Sequence, residues 1–358
     1  MENKFDVVSN RRKVADFMAK QKWDYREKVL YARTRALEFY NECSKRDLEC
    51  HVSVGGLDSI TLLLFLRSIH IDVPAVSVSC LEDISIQRIH KQLGVIPLKP
   101  SYKDVKTKER WNKQKILQTF GFPVLSKEIA AKIETLQNPT KKNATVRHAI
   151  ITGETGAYGG YRKNTRMKLA KKWLKKFAGM ENDKYGTDYC CAPFKVSSQC
   201  CYYLKEKPCD DWAKLHNSVP YLGLMASEGG RRQKALMLNG CNYFGKTVTR
   251  SAPFAIFNRQ DILQLALDLK VPVPAIYGTI ERDDNGNLYT TGQQRTGCDI
   301  CGFGIQLEKR PHRFDRLRKR NPALWDFWMN KCCVDENGQP FGWGFVLDYL
   351  GIGWRDEV

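Results

Sequence analysis

Three stretches of the chain bring together residue types that can do chemistry. The first is SVGGLDS (residues 53–59), a glycine pair followed by a carboxylate and a hydroxyl. Glycines after a strand let backbone N–H groups approach a phosphate closely, and a helix that starts at once adds its positive end. In that setting Ser59 can donate to a phosphate oxygen, and Asp58 can cap the helix or help hold Mg²⁺. The spacing is neither G-x-x-x-x-G-K-[ST] nor G-x-G-x-x-G, so neither common nucleotide loop applies. The second stretch is GLMASEGGRR (223–232), whose Arg231 and Arg232 offer planar forks suited to phosphate or sulfate. The third is a set of cysteines: tandem pairs at 190/191, 200/201 and 332/333, and one C-x-x-C formed by Cys298 and Cys301. Each stretch also has a plainer reading: a strand-to-helix turn capped by Asp58, two arginines on a surface helix, and structural thiols.

The elements that must position these residues follow from apolar spacing. Residues 25–45 repeat apolar positions at helical intervals, LECHVSV (48–54) reads as a buried strand, and SITLLLFLRSIH (59–70) as the next helix. VPAVSVSC (73–80) is a second strand, and SIQRIHKQLGV (85–95) a helix ending at Gly94. Further strands are expected at 148–153 and 218–226, a short helix within 120–134, and an amphipathic helix at 259–271. Asn285-Gly286 predicts a hairpin turn within 282–292, because that pair readily takes positive φ. The alternation predicts an α/β fold: a doubly wound, mostly parallel sheet with basic insertions and a small helical C-terminal segment. The expected division is an N-terminal helical segment (1–47), an α/β domain (48–305) with insertions at about 101–147 and 156–215, and a basic helical segment (306–358).

Composition bounds the partners. The formal charge is +19, from 58 Lys and Arg against 39 Asp and Glu, which favours phosphate-rich partners. Arg162–Lys176 holds eight basic residues and no acid, with Trp173 among them, and Lys309–Arg320 holds seven basics against one Asp. Basic stretches interleaved with aromatics suit a phosphate backbone and exposed bases, so DNA or RNA is an expected partner at both; a solvated helix face is the alternative. No apolar run approaches the length of a membrane span, and the N-terminus carries no apolar signal region, so cytoplasmic residence without a membrane partner is expected. Thirteen cysteines in such a chain point away from a disulfide scaffold and toward metal.

The loop resembles the pyrophosphate loop of the PP-loop ATP pyrophosphatase superfamily, the adenine nucleotide alpha hydrolase-like fold, whose pattern is Ser-Gly-Gly-x-Asp-Ser/Thr. Gly55, Gly56, Asp58 and Ser59 match it, and Val54 replaces the leading Ser. GLMASEGGRR resembles the second nucleotide motif of the phosphoadenosine phosphosulfate (PAPS) reductase-like branch, with Gly223, Glu228 and Arg232 matching, Met225 in place of an Arg and Gly229 in place of a Ser. Phe257 with Asp261-Ile262 is similar to a further family position. CCYYLKEKP (200–208) resembles the Cys-Cys-x-x-x-Lys-x-x-Pro segment of the iron–sulfur members, with Lys205 and Pro208 matching, and Gly297-Cys298-x-x-Cys301 resembles their second ligand pair.

The resemblance implies an adenine nucleotide, ATP or a sulfonucleotide, bound by Gly55, Gly56, Asp58, Ser59, Glu228, Arg231 and Arg232. Asp58, Ser59 and Arg232 would be catalytic, with Mg²⁺ beside them. It implies a [4Fe–4S] cluster on Cys200, Cys201, Cys298 and Cys301, with zinc as the rival for four thiolates. Leu57 stands where reductases usually carry Lys, and the Glu-Cys-Gly-x-His tail of true reductases is missing. The expected activity is therefore ATP cleavage to AMP and pyrophosphate, activating an acceptor for sulfur transfer. That is closest in type to the iron–sulfur sulfurtransferases of DNA phosphorothioation, and a sulfur-donor protein is an expected partner. Two alternatives stay open: sulfonucleotide reduction with Cys332 or Cys333 as nucleophile, and a nucleotide- or nucleic-acid-binding module without catalysis.

Overall fold

A computed structural model describes residues 7–99, 111–155, 166–177, 192–298 and 300–356. The chain divides into two compact units, one of residues 1–99 and 207–298, the other of residues 100–206 and 299–358. Helices and strands are numbered along the chain. No helix among the described residues is long and apolar enough to cross a membrane.

The first unit is mixed α/β around a mostly parallel sheet. Helices α1 (Val7–Lys20) and α2 (Tyr25–Lys45) precede β1 (Glu49–Ser53). α2 starts where the sequence predicts because Asp24 and Glu27 form a reciprocal capping box, and Ala32, Ala36, Phe39 and Cys43 recur on its buried face. After β1 come α3 (Leu57–Ser68), β2 (Ala75–Ser77), α4 (Ile84–Gln92) and β3 (Ile96–Pro97). Nearly every apolar side chain of α3 is buried, as expected for a helix packed on a sheet face.

The chain re-enters this unit with α10 (Lys207–Leu215), β4 (Ser218–Tyr221), α11 (Gly230–Asn239), β5 (Asn242–Phe244), β6 (Thr249–Ser251) and α12 (Arg259–Asp268). Sheet order is β3-β2-β1-β4-β6-β5. Every pairing is parallel except β5–β6. The strand expected at 218–226 stops at Tyr221, after which Leu222 to Met225 continue as a loop whose Leu222 N–H still donates to the Ser251 carbonyl at 2.8 Å.

β7 (Ile280–Arg282) and β8 (Leu288–Thr290) form the expected hairpin by a different turn. Only Gly286 takes positive φ (+79°), and the Asp283 carboxylate accepts from the Asn285 and Asn287 amides. A turn closed by a left-handed glycine does the work assigned to an Asn-Gly pair.

The second unit holds α5 (Lys113–Phe120), α6 (Lys127–Gln137), α7 (Ala144–Thr152), α8 (Lys171–Phe177) and α9 (Gln199–Cys201). Its C-terminal part has α13 (Arg313–Arg320), α14 (Pro322–Asn330), a small antiparallel pair β9 (Cys333–Val334) and β10 (Pro340–Phe341), and α15 (Trp343–Leu350). Residues 148–152, expected as a strand, belong to α7, which ends at Gly153 with φ +82°. Ala149, Ile150 and Ile151 form too short an apolar run for its period to be read, and the buried side chains pack as a helix.

Candidate functional site

The loop between β1 and α3 is held from several sides, all within the first unit. The Gly55 N–H donates to Ser59 Oγ at 2.7 Å, and Ser59 Oγ donates to the Gly56 carbonyl at 2.9 Å. The Leu57 N–H donates to Tyr277 Oη at 3.1 Å, and Tyr277 shares a 2.6 Å hydrogen bond with Thr296 Oγ1. His90 Nε2 lies 2.8 Å from the Gly55 carbonyl. Among the described residues, the amides of Gly56 and Asp58 have no acceptor. Gly56 is also the N-cap of α3, and no side chain caps the helix there. Ser59, read from sequence as a phosphate donor, is here a staple of the loop.

Side-chain direction accounts for Val54 and Leu57. Val54 is buried in the apolar core, and its N–H continues the ladder to the Val76 carbonyl at 2.9 Å. Leu57 is buried in the same core. Ser53, one residue earlier, lines the cavity at the loop, so a hydroxyl is present on that side after all. Gly56 is required sterically: a Cβ there would meet Tyr277 Oη at 2.2 Å and Thr296 Oγ1 at 2.8 Å. A Cβ on Gly223 would come within 3.2 Å of the Asp58 carbonyl carbon and of Ser59 Cα, so that glycine lets the loop after β4 pass the first turn of α3.

A cavity of about 250 Å³ opens against this loop, lined by Ser53, Gly56, Asp58, Ser59, Gly223, Glu228, Arg232, Arg259, Tyr277, Arg295 and Thr296 among others. A second hollow of about 170 Å³ shares Asp58, Glu228, Arg259 and Arg295 and adds Met225 and Ser227. Thus Gly56, Asp58 and Ser59 line one cavity with Glu228 and Arg232, the grouping that the resemblance implies. Arg259, Arg295, Tyr277 and Thr296 were missed; sequence reading stopped at Phe257 and Asp261 on either side of Arg259. Asp261 itself is structural, pairing with Lys28 at 2.8 Å and capping α12 with Asn258. Gly55 is part of the loop but not of the cavity wall. The side chain of Arg231 lies outside what the structure describes.

Three guanidinium groups face two carboxylates in this cavity. Arg259 pairs with Asp58 at 2.5 Å, and Arg232 with Glu228 at 2.5 Å. Burial pushes the Asp58 carboxyl up from the ordinary range, opposed by Arg259 and reinforced by Glu228. An anion entering here would meet two open amides and cations already in place. The Asp58 and Glu228 oxygens, on the same wall, are hard donors of the kind Mg²⁺ takes.

The cysteines are a different matter. Cys298 closes the first unit, while Cys200, Cys201 and Cys301 belong to the second. Cys200 is buried, and Cys201, Cys298 and Cys301 are half-buried. The five residues after Cys201, Tyr202–Glu206, wind as a π-helix that includes Lys205, a widening common at functional sites. Among the described residues no three His, Cys, Asp or Glu side chains are gathered so as to hold a metal ion. Four thiolates are donors of the kind an iron–sulfur cluster or zinc takes. Cys190 and Cys191 lie outside the described residues.

Cys332 and Cys333 are buried in the second unit, their sulfurs 3.9 Å apart. The hydrogen bond to Cys333, with burial, raises the Cys332 thiol's pKa far above its usual value. A cavity of about 730 Å³ in that unit is lined by Phe122, Phe194, Phe341 and Cys333 among others, and by none of the four cysteines expected to hold a cluster.

Of the basic stretches, residues 162–165 lie outside the described residues; α8 buries Leu174 and Phe177 and leaves Lys171, Lys172 and Lys175 exposed. In the C-terminal stretch Arg310 pairs with Asp315 at 2.9 Å, and Arg313 pairs with Glu308.

No family model matches the chain, and no curated protein or solved structure matches it either.

Proposed function

We propose that the first unit is an adenine-nucleotide site of PP-loop type and that the protein splits ATP to AMP and pyrophosphate, activating an acceptor for sulfur transfer. One observation carries the reading. The cavity lies beyond the C-terminal ends of β1 and β4, adjacent strands after which the next strands are laid down toward opposite edges of the sheet. Open α/β sheets bind ligands at such reversal points. On this reading the sheet is doubly wound, and the PAPS reductase-like resemblance describes its loops.

The chemistry this chain's residues supply is positioning and charge neutralisation. The open Gly56 and Asp58 amides, Arg232 and Arg259 hold the β and γ phosphates while an acceptor oxygen attacks the α phosphorus, and pyrophosphate leaves with the α–β bridging oxygen. Asp58 and Glu228 would hold Mg²⁺, which neutralises phosphate charge when bound. Cys200, Cys201, Cys298 and Cys301 remain the proposed holders of an iron–sulfur cluster or zinc, and no step runs through them. Nucleic acid as acceptor and a sulfur-donor protein complete the proposal; the exposed lysines of α8 support the former.

The test is pyrophosphate release from ATP and Mg²⁺, with and without DNA or RNA. Release supports the reading; sulfite formed from a sulfonucleotide supports reduction instead; tight binding without turnover supports a non-catalytic module. The burial of both thiols and the raised pKa of Cys332 speak against reduction through that pair, because an accessible thiolate is the nucleophile.

A further inference from the structure

Which way the open amide of Gly56 points is decided by a residue that lies outside every motif above. In a trans peptide the C=O and the following N–H point in opposite directions. The Gly55 carbonyl and the Gly56 N–H belong to one such plane, so whatever holds the carbonyl aims the amide. His90, at the end of α4 and 1% exposed, holds it: Nε2 sits 2.8 Å from the Gly55 oxygen, and Nδ1 sits 2.9 Å from Ser79 Oγ. A carbonyl oxygen can only accept, so Nε2 carries the proton; neutral imidazole then leaves Nδ1 to accept from the Ser79 hydroxyl. The other peptides of the loop are fixed by Ser59 and Tyr277, and the Gly55–Gly56 peptide by His90.

We propose that His90 is a positioning residue of the phosphate loop, holding the Gly55–Gly56 peptide so that the Gly56 N–H faces the cavity and an incoming phosphate. The inference rests on the nucleotide reading. His90 touches no phosphate itself; it sets in advance the direction of a donor that does, sparing the site that reorganisation on binding.

The experiment titrates inorganic pyrophosphate, without metal, into wild type, His90→Leu, His90→Gln and Ser79→Ala. It follows affinity by calorimetry and the Gly56 amide by ¹⁵N-glycine NMR. Wild type should bind with a large shift of the Gly56 amide. His90→Leu should bind about tenfold more weakly, as expected for one misaimed donor to a charged acceptor. His90→Gln, which keeps an N–H near the Nε2 position, should recover most of that loss. Ser79→Ala removes one hydroxyl and guards against a His90→Leu chain that fails to fold; it should weaken binding in the same sense. In ligand-free wild type, long-range ¹H–¹⁵N correlations should show the Nε2–H tautomer. The Nδ1–H tautomer, or equal pyrophosphate affinity in wild type, His90→Leu and Ser79→Ala, overturns the role of His90 while leaving the nucleotide site standing. Wild type that binds no pyrophosphate overturns both.

Discussion

Gly55 and Gly56 are neighbours that answer to different constraints. An added Cβ on Gly55 meets nothing nearer than 3.9 Å, whereas on Gly56 it would collide with Tyr277 and Thr296. Gly55→Ala should therefore leave stability in urea unchanged, and Gly56→Ala should cost roughly 1–3 kcal/mol by driving Tyr277 off the Leu57 amide. Equal effects would mean that the two sites are packed alike. Asp58→Asn keeps the shape and removes the carboxylate that faces Arg259; on the proposed reading, pyrophosphate release falls by about a hundredfold or more while the fold persists.

His51 makes the matching prediction for pH. Burial, with His216 adding, pushes its pKa down to about 4 from 6.5, so the folded state keeps it neutral. Its contribution is complete above pH 6.5 and is lost as pH falls toward 4, by roughly 3 kcal/mol at most. His51→Asn, which can still bond Ser218, should flatten that part of the stability profile; an unchanged slope would place the pH dependence elsewhere.

Elements with local signals were legible in sequence. α2 and α12 announce themselves by apolar residues at helical spacing, and β1 with α3 by a buried run broken at glycines. What failed was local ambiguity or long range. The Ala149–Ile151 run fits a strand or a helix, and only its neighbours decide. Tyr277 meets Leu57 across 220 residues of sequence, and His90 meets Gly55 across 35, so neither contact leaves a local mark. Strand alternation puts Val54 in the core and Ser53 at the cavity, which a motif aligned on position 54 alone does not register. At this scale Gly223 is the sensitive joint: Gly223→Ala should lower stability by about 1–2 kcal/mol and weaken nucleotide binding together, since β4's loop and α3 must part to admit the methyl. Loss of neither would mean that the approach is not needed.

For the whole molecule, a charge of +19 overstates what is available to a polyanion. Arg310, Arg313 and Arg316 are engaged by Asp315 and Glu308, and Arg313 also donates to the Cys301 carbonyl. Binding to single-stranded nucleic acid should weaken steeply with salt, and reversing the exposed Lys319 to Glu should lower both affinity and salt slope. Salt-independent binding would sink the polyanion proposal without touching the nucleotide site. The claim on which the enzymatic account stands is narrower: phosphates dock where two open amides meet Arg232 and Arg259. Calorimetric titration of ATP with Mg²⁺ into wild type and Arg259→Ala tests it most directly. The account predicts saturable one-to-one binding in wild type, weakened about tenfold or more in the variant; no saturable binding in wild type, or the same affinity in both, would contradict it.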